Sequence, residues 1–212
     1  TGSYATKVTA VTAMGYEDVE EDPVFKKGVN LWDNTISNAF SLMRLANGGV
    51  IRINECRRIG AKAPSSYISA FYGTKGGYQF SNAQHIFTQN KGDGVTLEDV
   101  SDYVNPMAMT ENKDLPDFKQ RVANHEWQWD SFAPIQDYKR LPKEYEDLKN
   151  GHMASHKFLI DDFCRAAYNH TLPTVNAWLA ARFTIPGIVA FESVKKDGQP
   201  IDIPDCGEPP VE

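Results

Sequence analysis

The chain has 212 residues, 41% of them hydrophobic and 24% charged, with a formal net charge of −6. That length suffices for one domain, or two small ones, with a proper core. The acidic balance argues against a nucleic-acid partner, which needs a basic footprint, and against an anionic membrane surface. No apolar run approaches the ~20 residues of a membrane span. The three cysteines, Cys56, Cys164 and Cys206, are far apart and odd in number, which favours reduced thiols over a disulfide framework. No export signal opens the sequence. A soluble protein is expected, cytoplasmic, or periplasmic if a signal has been removed.

In chain order, Lys7 to Tyr16 is rich in Val and Thr and reads as a strand. Glu17 to Asp22 is an acidic loop, and Gly28 to Asn34 is a polar loop carrying Trp32. Ile36–Ala46 and Val50–Arg58 flank Asn47-Gly48-Gly49, a hairpin signal. Side chains alternate along a strand, so Ile51 and Ile53 are expected to be buried, with Arg52 and Asn54 on the other face. Ser66–Tyr72 and Tyr78–Ser81 flank a glycine-rich turn and form a second hairpin. Gln84 to Gln89 adds a further strand.

Asn90 to Gly94 is a turn cluster. Thr96 with Asp99 resembles a capping box, predicting a short helix over Leu97–Tyr103. Pro116 and Pro142 suit the first turns of short helices over 116–124 and 142–149. His125, Trp127 and Trp129 lie in an aromatic loop between them. A helix follows from about Ser155, with Leu159, Phe163, Ala166 and Ala167 as its expected buried stripe. It breaks at Asn169–Pro173. A second helix runs from about Val175 to Ser193, burying Trp178, Ala181, Ile185, Ile188 and Val189, and Asp197-Gly198 ends it. Strands dominate the first half and helices the second, an α+β pattern rather than alternating βαβ.

Several groups carry candidate chemistry, each with a plainer structural reading beside it. Arg52, Asn54, Glu55, Arg57 and Arg58 suit either an ion-pair network within the sheet or polyol recognition, where guanidinium and carboxamide groups bind hydroxyls. Trp32, with Asn30 and Asn34, suits either a sugar-stacking loop or an aromatic packed on its own sheet. His152 and His156 are four apart, a spacing that can place two imidazoles on one helix face. Met153 stands where a zincin needs Glu, and no third ligand is evident, so metal binding is disfavoured. A hydrogen-bonded polar first turn and substrate contact both stay open. No glycine turn leads from a strand into a helix, as a dinucleotide site requires; Gly73, Gly76 and Gly77 sit between two strands.

The order of motifs resembles the Gfo/Idh/MocA family of nicotinamide-dependent sugar and inositol oxidoreductases. The matching pieces are Gly151-His152 with Ser155-His156, then Phe158–Phe163, Ala180-Ala181, Pro186-Gly187-Ile188, Glu192-Ser193 and Ile203-Pro204-Asp205. Earlier, Asn30–Asn34, Asn38, Gly48-Gly49 and Arg52–Arg58 extend the resemblance, which skips a divergent stretch at about 90–149. It implies a single domain over 1–212, similar to the family's second domain. That domain is a twisted, largely antiparallel open β-sheet of about six or more strands, with helices, including the two C-terminal ones, on one face.

The family's Glu-Lys-Pro and Asp-x-x-x-His motifs are absent. The resemblance therefore implies no catalytic and no cofactor-binding residue in this chain, with NAD or NADP held by an upstream Rossmann domain of a larger parent. Asn30, Trp32, Asn34, Arg52, Asn54, Arg57, His152 and His156 become candidate substrate contacts. A sugar-like small molecule and a homo-oligomer are the expected partners. Two alternatives share the pattern: a domain of an NAD-dependent glycoside hydrolase, and a stand-alone carbohydrate-binding or assembly module.

Overall fold

The computed structural model describes residues 2–12, 28–29, 31, 34–56, 69–81, 84–101, 140–145 and 155–210. Its elements run β1 (Ala5–Val11), β2 (Asn38–Leu45), β3 (Val50–Cys56), β4 (Ser69–Tyr72), β5 (Gly76–Ser81), β6 (Gln84–Asn90), β7 (Val95–Asp99), α1 (Ser155–Tyr168), α2 (Ala177–Lys195) and β8 (Ile201–Asp202). Every described strand pairing is antiparallel. The class is α+β, with open sheets and two C-terminal helices. The chain divides into two units, residues 1–59 with 174–212 and residues 60–173.

In the first unit the strand order is β3-β2-β1-β8. The β2–β3 hairpin turns where its sequence says it should. Gly48 takes a positive φ of 85°, which glycine adopts without steric cost. The Asn47 side-chain oxygen accepts a hydrogen bond from the Gly49 amide at 3.1 Å. In register, Val8 faces Met43 and Met43 faces Ile51. Val8, Ala10, Met43 and Leu45 form the core with Ala190 and Ile203, and Ile51, Ile185, Val189 and Val194 pack against it. Burying side chains the size of Val8, Met43, Leu45 and Ile203 is worth about 1.5–3 kcal/mol each.

Helix α2 closes that core. Asn176 caps it, its side-chain oxygen accepting from the Leu179 amide at 3.1 Å. At the other end the buried Ser193 hydroxyl accepts from the Ala10 amide at 2.9 Å and donates to the Gln199 carbonyl at 2.7 Å. The chain then turns back over β1 at Gly198, where a Cβ would lie 3.0 Å from Val11 Cγ1 and φ is +79°. By length and composition alone α2 is long and apolar enough to cross a membrane, although Arg182, Glu192 and Lys195 interrupt its apolar run. Here one of its faces packs on β1, β2 and β8, and its Arg182 is ion-paired to Asp205 and Glu208 of the C-terminal tail.

Burial differs from the sequence reading at three places in this unit and in α1. Ile51 is half-buried and packs on the core, but Ile53 is 47% exposed. The alternation holds, since Ile53 pairs with Ser41 and Arg52 with Leu42. However, β3 is the edge strand, and α2 packs chiefly on β1, β8 and β2. Ile188 is likewise exposed, on the side of α2 away from the core. On α1 the helical period is right and the phase is wrong. Phe158, Asp161 and Ala166 are buried, while Leu159 and Phe163 are 56% and 66% exposed and Ala167 is exposed as well. A charge is tolerated on the buried face because Arg165 Nε grips both Asp161 oxygens at 2.9 Å. Arg140 adds ion pairs to Asp161 at 3.6 Å and Asp162 at 2.5 Å.

The second unit carries the sheet β4-β5-β6-β7. The segment read as a helix over Leu97–Tyr103 is strand β7 as far as Asp99, with Thr88 opposite Leu97 and Ile86 opposite Asp99. Pairing along a neighbouring strand outweighs the local capping signal. Asp99 instead accepts hydrogen bonds from the Ser101 amide and hydroxyl, at 3.0 and 2.5 Å. Near Pro142 the described structure is a 3-10 turn over Lys143–Tyr145. The expected helix over 116–124 and the aromatic loop with His125, Trp127 and Trp129 lie outside the described residues.

Candidate functional site

Asn34, Arg52, Asn54 and His156 are described; Asn30, Trp32, Arg57 and His152 lie outside the described residues. The register of the first sheet sets out the face that bears Arg52 and Asn54. One row across it is Val50, Arg44, Lys7 and Asp202; the next is Arg52, Leu42 and Thr9; the third is Asn54, Phe40 and Val11. This is the face opposite the Val8–Met43–Ile51 row that packs on the core. Lys7 and Asp202 pair at 2.9 Å.

The rest of the face mixes apolar and cationic groups. Leu42, Val11 and Val50 are exposed hydrophobics, and Arg44, Arg52 and Asn54 are exposed beside them. A guanidinium and a carboxamide set among apolar side chains can donate to hydroxyls while the apolar groups meet a C–H surface. The same composition also suits contact with another protein surface.

The other two described candidates do different things. Asn34 turns its side-chain oxygen to the Ile36 amide at 2.8 Å, an Asx turn leading into β2. That bond engages one end of the carboxamide in holding the backbone. His156 is exposed in the first turn of α1 and belongs to the second unit. Among the described residues no group of three or more His, Cys, Asp or Glu is placed to hold a metal ion.

Two clusters escaped the sequence reading. In the first, the Arg182 side chain is 16% exposed and binds Asp205 through Nε and Nη2 at 2.9 and 3.0 Å. It also binds Glu208 at 2.7 Å and lies 4.3 Å from the Tyr4 ring centroid. Its hydrogen bond to Asp205, with that to Glu208, pushes its pKa up; Asp205 is held below the usual carboxylate range chiefly by Arg182. In the second, the buried His85 accepts or donates at Nδ1 to the Tyr78 hydroxyl at 2.5 Å and stacks on Phe80 at 4.3 Å. Burial raises the Tyr78 pKa. The sequence signals were faint: one arginine in an apolar helix, and one histidine on the aromatic face of a period-two strand.

The described residues do not fit a dinucleotide pyrophosphate. Such a site needs a strand, a glycine turn and a helix N-terminus in succession. Here the turn preceding Gly76 joins β4 to β5, with the Gly73 amide donating to the Gly76 carbonyl at 2.9 Å. Helix α2 is instead preceded by Pro173, Thr174, Val175 and its cap Asn176.

No family model matches the sequence, and no curated protein matches it. Solved structures do match. A levoglucosan dehydrogenase in complex with NADH and levoglucosan superposes with a TM-score of 0.55 at 17% identity, over 95% of this chain and 45% of that one. An NAD-binding oxidoreductase from Klebsiella pneumoniae gives 0.55 at 10% identity, over 94% and 45%. An oxidoreductase from Agrobacterium radiobacter, in complex with NAD+, L-tartaric acid and magnesium, gives 0.53 at 11% identity, over 94% and 43%. This chain has the fold of one part of the NAD-binding oxidoreductases. It spans less than half the length of each of these three. With every described pairing antiparallel, the shared part is not a parallel dinucleotide-binding sheet.

Proposed function

We propose that this chain is the substrate-side domain of an NAD(P)-dependent oxidoreductase of the Gfo/Idh/MocA type, acting on a sugar, inositol or related polyol. The observation that supports it most is the fold match over 94–95% of the chain to less than half of several NAD-linked enzymes, together with the family's motif order. In this reading the nicotinamide cofactor, bound by a separate Rossmann domain, supplies hydride transfer. The residues of this chain bind and orient the polyol. Arg52 and Asn54 donate to its hydroxyls, and Asn30, Trp32, Asn34, Arg57, His152 and His156 are the further candidate substrate contacts. The chain also self-associates as a homo-oligomer, exposed apolar surface being what such a contact covers.

Calorimetry on the purified chain with levoglucosan and myo-inositol tests the substrate role. Millimolar binding, about −4 kcal/mol, is expected to weaken several-fold in Arg52→Ala and Asn54→Ala. Binding unchanged in both variants removes these two from the substrate site, and no binding to any polyol removes the substrate-side role itself. In the same titrations NAD and NADP are expected to show no saturation below about 100 μM, roughly −5.5 kcal/mol. Tighter binding overturns the proposed division of labour.

A further inference from the structure

No further inference is drawn: the strongest candidate, the aromatic row Phe71, Tyr78 and Phe87 across the second sheet beside the buried His85, is exposed at Phe71 and Phe87, and nothing in the structure shows what covers them.

Discussion

The two four-stranded sheets solve one problem in different ways. In the first, a helix lies over the central strand β1, and the buried hydrophobic strand positions are Ala5, Val8, Ala10, Met43 and Leu45, while the buried polar Ser41 of β2 donates to the Ile53 carbonyl at 2.8 Å. In the second, the fully buried strand side chains among the described residues are Phe80 and His85, and its edge strand β7 is exposed at every position. An aliphatic core needs only size and alternation. A core containing imidazole must also satisfy a polar group, which Tyr78 does here, because a buried polar atom without its bond costs about 1–3 kcal/mol.

The largest expected effects probe that contrast. Phe80→Ala removes a ring stacked on His85 and should cost about 3–5 kcal/mol; Met43→Ala should cost about 2–5 kcal/mol. Amide hydrogen exchange reads the sheets separately. Phe80→Ala is expected to accelerate exchange most in β5 and β6, and Met43→Ala in β1 and β2. A Phe80→Ala loss below about 1 kcal/mol would mean that the second sheet is not organised around that ring.

Next come the hydrogen-bonded positions. Ser193→Ala leaves the Ala10 amide and the Gln199 carbonyl without the hydroxyl they share. About 1–3 kcal/mol should be lost, with faster exchange at Ala10. His85→Leu keeps the bulk beside Phe80 and strips the Tyr78 hydroxyl of its partner, for a loss in the same range. If His85→Leu is instead neutral, water replaces the imidazole and the second core is less dry than the burial of His85 implies.

How much of this was legible depended on whether local chemistry or a distant partner decided the outcome. The β2–β3 hairpin was readable because Asn47-Gly48-Gly49 is itself the turn, and period-two alternation placed Arg52 and Asn54 on one face. The two helices were readable from their stops and spacing. Strand β7 was not, since Thr96 and Asp99 carry a capping pattern and only pairing with β6 converts the segment to strand. The phase of α1 was hidden because a buried aspartate looks like a surface residue until Arg165 and Arg140 are seen against it. The exposure of Ile53 depended on where α2 lies across the sheet, which no property of β3 encodes. For the site, residue types and faces could be read, but what stands opposite those faces could not.

The smallest effect expected is at the Arg182 cluster, and its sign can be worked out. Asp205 is lowered by its hydrogen bond to Arg182, then by the Gly207 amide and by Tyr4. A carboxylate whose folded pKa is depressed adds stability above its unfolded value, near 3.9. That contribution is lost as pH falls through the lower folded value. Glu208 reaches Arg182 from a far more exposed position, so solvent screens its share. The segment from Pro204 to Pro210 should therefore stay protected from proteolysis at neutral pH and loosen only in acid, below about pH 4. Arg182→Ala should expose it at neutral pH and flatten that acid dependence. Arg182→Lys should restore part of the protection, because an ammonium keeps the charge but loses the two-pronged grip on Asp205. The core of the first sheet does not use these groups, so exchange in β1 and β2 should be unchanged in both variants. Equal protection of the tail in wild type and Arg182→Ala would show that backbone packing around Ile203, not the ion pairs, holds it.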